Sequence, residues 1–189
     1  MIRFIFWLIY TLNGWKVKGQ LPPDVKKCVM LAAPHTSNFD LVYALVGLKK
    51  LHVKVRFTIK KEWLRFPFGM FIKPLGAIGI DRGPKKDDRI SMVDAMADLF
   101  KGKDELTILV TPEGTRKNVK KWKSGFYYVA EKANVPIALG YLDYKNKISG
   151  IGPIIYPSGD YEKDLRQIQE FYATIPAKFP DKFGVPWVD

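Results

Sequence analysis

The sequence predicts a single α/β domain with a mixed, largely parallel sheet flanked by helices, and three observations carry that expectation. Short apolar runs with strand character alternate with segments of helical periodicity. No internal repeat, low-complexity tract or linker divides the 189 residues. That length suits one domain able to bury a real hydrophobic core.

The elements follow in order. Met1 to Leu12 is apolar and aromatic, about half of the roughly 20 residues a spanning helix needs. No small-residue cleavage site follows it. Asn13 to Lys18 is instead aromatic and basic. Residues 1–20 are therefore expected to be an N-terminal helix segment at a membrane interface, with Lys16 and Lys18 toward anionic lipid. Packing of this helix on the domain is an equal expectation, compatible with the first. Residues 21–189 are expected to form the domain proper.

Val25 to Ala33 reads as a buried strand stopped by Pro34. Ser37 or Asn38 is a plausible N-cap for an apolar helix from Phe39 to about Lys50. Val53 to Lys60 alternates apolar and polar residues, the mark of a strand with one wet face. Leu75 to Ile80 is a short strand. Ile90, Val93, Met96, Ala97 and Phe100 line one face of a helix. Leu106 to Val110 is a strand ended by Pro112. Phe126 to Ala133 is an amphipathic helix, Val135 to Tyr141 a strand, and Ile148 to Tyr156 a strand or strand pair. Tyr161 to Tyr172 carries the stripe of a last helix, with Ser158 or Asp160 near its N-cap.

Composition narrows the function classes. A hydrophobic fraction of 47% with 26% charged residues excludes intrinsic disorder. One cysteine, Cys28, excludes an internal disulfide framework, and its place in a predicted strand makes it a core residue. The 31 Lys and Arg against 19 Asp and Glu give a net charge of +12. Such an excess calls for an anionic partner: nucleic acid, an anionic membrane, or a phosphorylated substrate. The densest basic stretch, Lys49 to Arg65, runs into Trp63, Phe66, Phe68, Met70 and Phe71. Positive charge beside aromatic rings suits a membrane interface. A nucleic-acid-binding module shares that footprint, but no RNA- or DNA-binding motif is present.

In open α/β sheets the loops after strand C-termini carry the chemistry. Three such loops hold unusual strings. In the first, His35 precedes Asp40 by five residues across a strand-to-helix turn. A carboxylate brought back there fixes the imidazole tautomer and stabilises the imidazolium. The other ring nitrogen is left free to take a proton from a hydroxyl. In the second, Gly76 to Gly83 places Arg82 at a strand exit, where a guanidinium suits bidentate phosphate binding. In the third, Glu113-Gly114-Thr115-Arg116 follows a buried strand and precedes Lys117, Lys120, Lys121 and Lys123. Gly114 allows a tight turn and Arg116 can reach an anion.

The order and placement of these strings resemble the lysophosphatidate acyltransferase family, the glycerolipid acyltransferases with a His-x-x-x-x-Asp motif. His35 and Asp40 match its first block. Gly76 to Arg82 resembles the second, Glu113 to Arg116 matches the third, and Val135-Pro136-Ile137 resembles the fourth. Trp122 to Phe126 resembles the Lys-x-Gly segment between the last two. The likeness covers roughly Leu31 to Gly140. Pro34, Gly79 and Leu139-Gly140 depart from the family pattern.

The resemblance implies a glycerol-3-phosphate acyltransferase-like fold. It implies transfer of a fatty acyl group from acyl-CoA or acyl carrier protein to a lysophospholipid hydroxyl, foremost 1-acylglycerol-3-phosphate to give phosphatidate. Another lysolipid or an amino-acid lipid is the alternative acceptor. His35 is the expected general base, with Asp40 orienting it. Arg82, Glu113, Gly114, Thr115 and Arg116 are the expected acceptor-binding residues, the two arginines on its phosphate. Glu113 is expected either to bind an acceptor hydroxyl or to order Arg116. Oxyanion donors are expected among backbone N–H groups near a helix N-terminus. No cofactor and no metal is called for. The expected setting is peripheral, on the cytoplasmic face of a membrane, with the lipid surface and the acyl donor as partners. Nucleic acid is a minor alternative, and nothing in the sequence fixes an oligomeric state.

Overall fold

The computed structural model describes residues 2–80 and 88–187. Helix α1 (Ile2–Leu12) is followed by strand β1 (Lys16–Lys18). Then come β2 (Lys27–Ala33), α2 (Asp40–Lys50), β3 (Val55–Lys60), α3 (Phe68–Ile72) and β4 (Ala77–Ile80). Helix α4 (Asp88–Asp98), β5 (Leu106–Val110), α5 (Gly125–Ala133), β6 (Ile137–Asp143), β7 (Ile148–Ile155) and α6 (Tyr161–Ala173) complete the domain.

The strands form one seven-stranded sheet in the order β1-β7-β6-β2-β5-β3-β4. Every pairing is parallel except β6 with β7. The fold is thus a single α/β domain with a mostly parallel sheet flanked by helices, as the alternation of apolar runs predicts. Its central strand β2 shows why those runs are continuous. Val29, Leu31 and Ala33 join a core with α4, α5 and α6. Cys28 and Met30 point the other way, into a cluster with Leu48 of α2. A strand covered on both faces has no polar side to display.

Cys28 is fully buried and its thiol is pushed up to about 11 by burial, so it packs as a core residue. Helix α6 starts as expected, with the Asp160 carboxylate accepting the Lys163 N–H at 3.1 Å. Helix α5 ends at Asn134 in the left-handed region, φ 51°.

Some elements differ from expectation. Neither Ser37 nor Asn38 caps α2, because Phe39 is already helical and Asp40 in the first turn takes the loop's N–H groups itself. Strand β1 escapes sequence reading because all three of its residues are exposed and no apolar pattern marks them. It joins the edge of the sheet beside β7, so residues 16–18 belong to the sheet. Segment α3 and its flanking 3-10 turns also go unread, being too short for periodicity. At Gly79 in β4 a Cβ would lie 2.6 Å from Leu64 Cδ1 and 3.2 Å from Lys61 Cα. That close approach explains why no larger residue stands there.

Helix α1 is seated on the domain through Tyr10, with Phe6 and Ile9 packed beside it. Tyr10 is fully buried and donates to the Lys16 carbonyl at 2.8 Å. Trp15 stacks on Tyr43 of α2 with ring centroids 4.1 Å apart. Arg3 bonds the Pro74 carbonyl, which sets the start of α1 beside the α3 region. Phe4, Ile5, Trp7, Leu8 and Leu12 of α1 stay exposed, as do Phe66, Met70 and Phe71. No described helix is long and apolar enough to cross a membrane.

Candidate active site

The chain leaves β2 through α2 toward β3 on one side. It leaves β5 through α4's neighbour α5 toward β6 on the other. Connections that part in this way open a crevice between the two strands at their C-terminal ends, where α/β sheets bind ligands. Strands β6, β2 and β5 are adjacent and parallel, so the segments after all three meet at one edge. These segments contribute Tyr144, His35 with Asp40, and Glu113.

His35 and Asp40 come together as the five-residue spacing predicts. His35 Nδ1 lies 3.1 Å from Asp40 Oδ2. The same oxygen accepts the backbone N–H groups of Thr36 and Ser37, each at 2.8 Å. The local sequence folds this way because a carboxylate in the first turn of a helix can reach back to the N–H groups before it. Asp40 is thereby held as an acceptor, and the His35 Nδ1 proton has one direction in which to point. The far ring nitrogen, Nε2, is left for other chemistry. The carboxylate side chain is 6% exposed and the imidazole 26% exposed, so the ring reaches the surface while its partner does not.

Two supports of this pair come from distant segments. Glu113 Oε1 accepts the His35 backbone N–H at 2.9 Å. Glu113 is buried at 5% exposure, and burial pushes its carboxyl up to about 7 against the downward pull of that N–H. Its expected partners were an acceptor hydroxyl or Arg116; its observed partner is the main chain of the proposed base. Oε2 is buried with no hydrogen-bond partner among the described residues. The second support is Tyr144, whose hydroxyl donates to Asp40 Oδ1 at 2.5 Å. Sequence reasoning missed it. The signal was its place just past the C-terminal end of a parallel strand, obscured because that strand was expected to stop at Tyr141 rather than Asp143.

The rest of the third string lies on the loop after β5. Gly114 has φ +63° and donates its N–H to the Thr111 carbonyl at 3.1 Å. The side chain of Lys123 crosses it, so a Cβ at Gly114 would sit 2.6 Å from Nζ. The positive φ is what favours glycine here, since the flexible end of Lys123 can move aside. Thr115 is half-buried and Arg116 is exposed. Arg82 of the second string lies outside the described residues.

A cleft opens beside the dyad, with about 570 Å³ of empty space counting its open mouth. His35, Asp40 and Thr111 border it. Its walls are apolar: Leu41, Ala44 and Leu48 of α2 line it with Leu109 and Leu142 of the sheet. A family model described as Acyltransferase matches residues 15–138. The chain belongs to the acyltransferase family. No curated protein gives a match. The stretch matched as acyltransferase contains the dyad, the Glu113 to Arg116 string and most of the sheet. It ends before Tyr144, so that support of the His35–Asp40 pair in this acyltransferase comes from outside it.

Proposed function

We propose that this acyltransferase moves a fatty acyl group from a thioester, acyl-CoA or acyl carrier protein, to the hydroxyl of a lysophospholipid, with 1-acylglycerol-3-phosphate as the foremost acceptor. The observation that carries this reading is the imidazole–carboxylate pair at the mouth of an apolar cleft. The cleft suits a hydrocarbon chain, and the exposed edge of His35 suits a hydroxyl brought beside it.

In this mechanism His35 Nε2 takes the proton of the acceptor hydroxyl as its oxygen attacks the thioester carbonyl. Asp40 steadies the imidazolium that forms. The carbon–sulfur bond breaks, and the imidazolium returns the proton to the departing thiolate. An ester and a free thiol result. No covalent enzyme intermediate is needed, in keeping with the buried Cys28. Arg116 and Arg82 hold the acceptor phosphate on this reading. Thr36 and Ser37 N–H groups are engaged by Asp40, so the oxyanion donors are to be sought elsewhere.

The apolar and aromatic residues of α1 and the α3 region, with Lys49, Lys50, Lys61 and Arg65 exposed near them, support docking to an anionic membrane surface. On this reading the enzyme works peripherally, at the cytoplasmic face, and draws its acceptor from the bilayer.

The test is a mass-spectrometric screen of lysolipid acceptors with one acyl thioester, wild type against His35→Ala. Product from a lysophospholipid, reduced at least ~10²-fold in the variant, is the expected result. Near-normal turnover by His35→Ala removes the general base. Product from an amino-acid lipid alone replaces the acceptor and keeps the chemistry.

A further inference from the structure

Asp40 has two oxygens, and the dyad uses one. Oδ2 faces His35 and the two loop N–H groups, whereas Oδ1 receives the Tyr144 hydroxyl. Tyr144 is itself fixed from several sides. Its ring meets Trp15 edge-on with centroids 5.0 Å apart, and Tyr43 edge-on at 5.9 Å. Its backbone N–H donates to the Pro176 carbonyl at 3.2 Å. The segment after α6 that carries Pro176 returns to the dyad loop again, where the Phe179 N–H donates to Thr36 Oγ1 at 3.4 Å. Burial and the Asp40 charge hold the Tyr144 proton far above the usual phenol range, so the hydroxyl stays a donor.

From this arrangement we propose that Tyr144 is a positioning residue for acyl transfer, setting both the place and the basicity of Asp40 and, through it, of His35. The inference rests on the general-base reading of His35 and adds a third member to the dyad. A donor on Oδ1 does two things. It fixes the carboxylate plane, so Oδ2 stays aimed at Nδ1. It also draws charge from the carboxylate, which limits how strongly Asp40 stabilises the imidazolium. A base paired with an unrestrained carboxylate would hold its proton too tightly at neutral pH. Tyr144 lies beyond the matched stretch 15–138, in the β6–β7 turn.

Other titratable or charged groups also face the cluster. Glu113 comes from the loop after β5, Tyr43 from α2, and Lys178 from the segment after α6, its Nζ 4.7 Å from the Phe39 ring and 5.8 Å from that of Tyr144. Removing one hydroxyl leaves these groups in place, so Tyr144→Phe removes the bond to Asp40 together with the hydroxyl's contact with the Ser37 side chain.

The experiment measures kcat, KM and the pH profile of kcat/KM for wild type, Tyr144→Phe and His35→Ala, using the acceptor and thioester that the lysolipid screen identifies. Thermal unfolding is followed in parallel. Tyr144→Phe is expected to lower kcat about tenfold or more with little change in KM, the scale of losing precise positioning. The acid limb of its profile is expected at higher pH, because a freed carboxylate raises the proton affinity of His35. A profile that does not move overturns the proposal, whether or not kcat falls, since a purely structural loss lowers the rate without moving the limb. A folded His35→Ala protein that is still active overturns the underlying reading instead. An inactive His35→Ala beside a Tyr144→Phe that behaves as wild type overturns the role of Tyr144 alone.

Discussion

Glu113 holds the main chain of His35, its Oε1 accepting the His35 N–H at 2.9 Å from the neighbouring strand's loop. The bond spans the crevice between β2 and β5 and ties the two loops that border it. A buried carboxyl is a costly way to satisfy one N–H, and the cost is visible in its raised proton affinity.

That cost makes stability depend on pH. The Glu113 carboxyl is raised from 4.5 to about 7 in the folded chain. Between those values the folded state keeps a proton that the unfolded state has released. The stabilisation from the neutral acid is therefore complete below about 4.5 and is lost as pH rises to about 7. Glu113→Gln keeps an acceptor for the His35 N–H but cannot ionise. Urea unfolding from pH 4 to pH 8 should show the variant gaining on wild type across that window, by on the order of 1–3 kcal/mol. Parallel curves would place the Glu113 titration elsewhere.

Arg116 stands exposed on the loop after β5 and is assigned to the acceptor phosphate. Arg116→Ala should raise KM for a phosphorylated lysolipid about tenfold, the worth of a charge-assisted contact, and leave KM for a neutral acceptor nearly unchanged. Steady-state kinetics on a matched acceptor pair reads this directly. Equal shifts on both acceptors would end the phosphate assignment.

The exposed face of α1 is assigned to lipid. Replacing Trp7 and Leu8 together by Ser should weaken co-sedimentation with anionic vesicles by about tenfold or more. Tyr10, the anchor of α1 on the domain, is left in place, so thermal unfolding should change little. Vesicle binding that is unaffected, or preferential binding to an oligonucleotide by the wild type, would redirect the basic surface to another partner.

How much of this was legible in the sequence follows from what each feature depends on. His35 and Asp40 are five residues apart, so one local turn decides their contact and spacing alone reveals it. The continuous apolar runs of β2 and β5 announce buried parallel strands, and both appear where expected. Strand β1 has no such mark, because a three-residue edge strand of Lys-Val-Lys is defined only by what it pairs with. The bond from the His35 N–H to Glu113 is invisible in the sequence for a related reason: its donor is a backbone group, and backbone groups carry no sequence signal. Tyr144 needed the strand order as well. Only the position of β6 beside β2 brings its following turn to Asp40.

The same strand order constrains how the protein is made. Lys16 of β1 pairs with Ile148 of β7, so one edge of the sheet is closed by two strands from opposite ends of the domain. A chain emerging from the ribosome presents β1 early, and this strand must wait for nearly every other strand before its pairing partner exists. Contacts so far apart in sequence form late, after the loop between them has been ordered. Tyr144 arrives in the same late stretch. A chain made only as far as β5 therefore has β1 without its β7 partner and Asp40 without its Tyr144 donor.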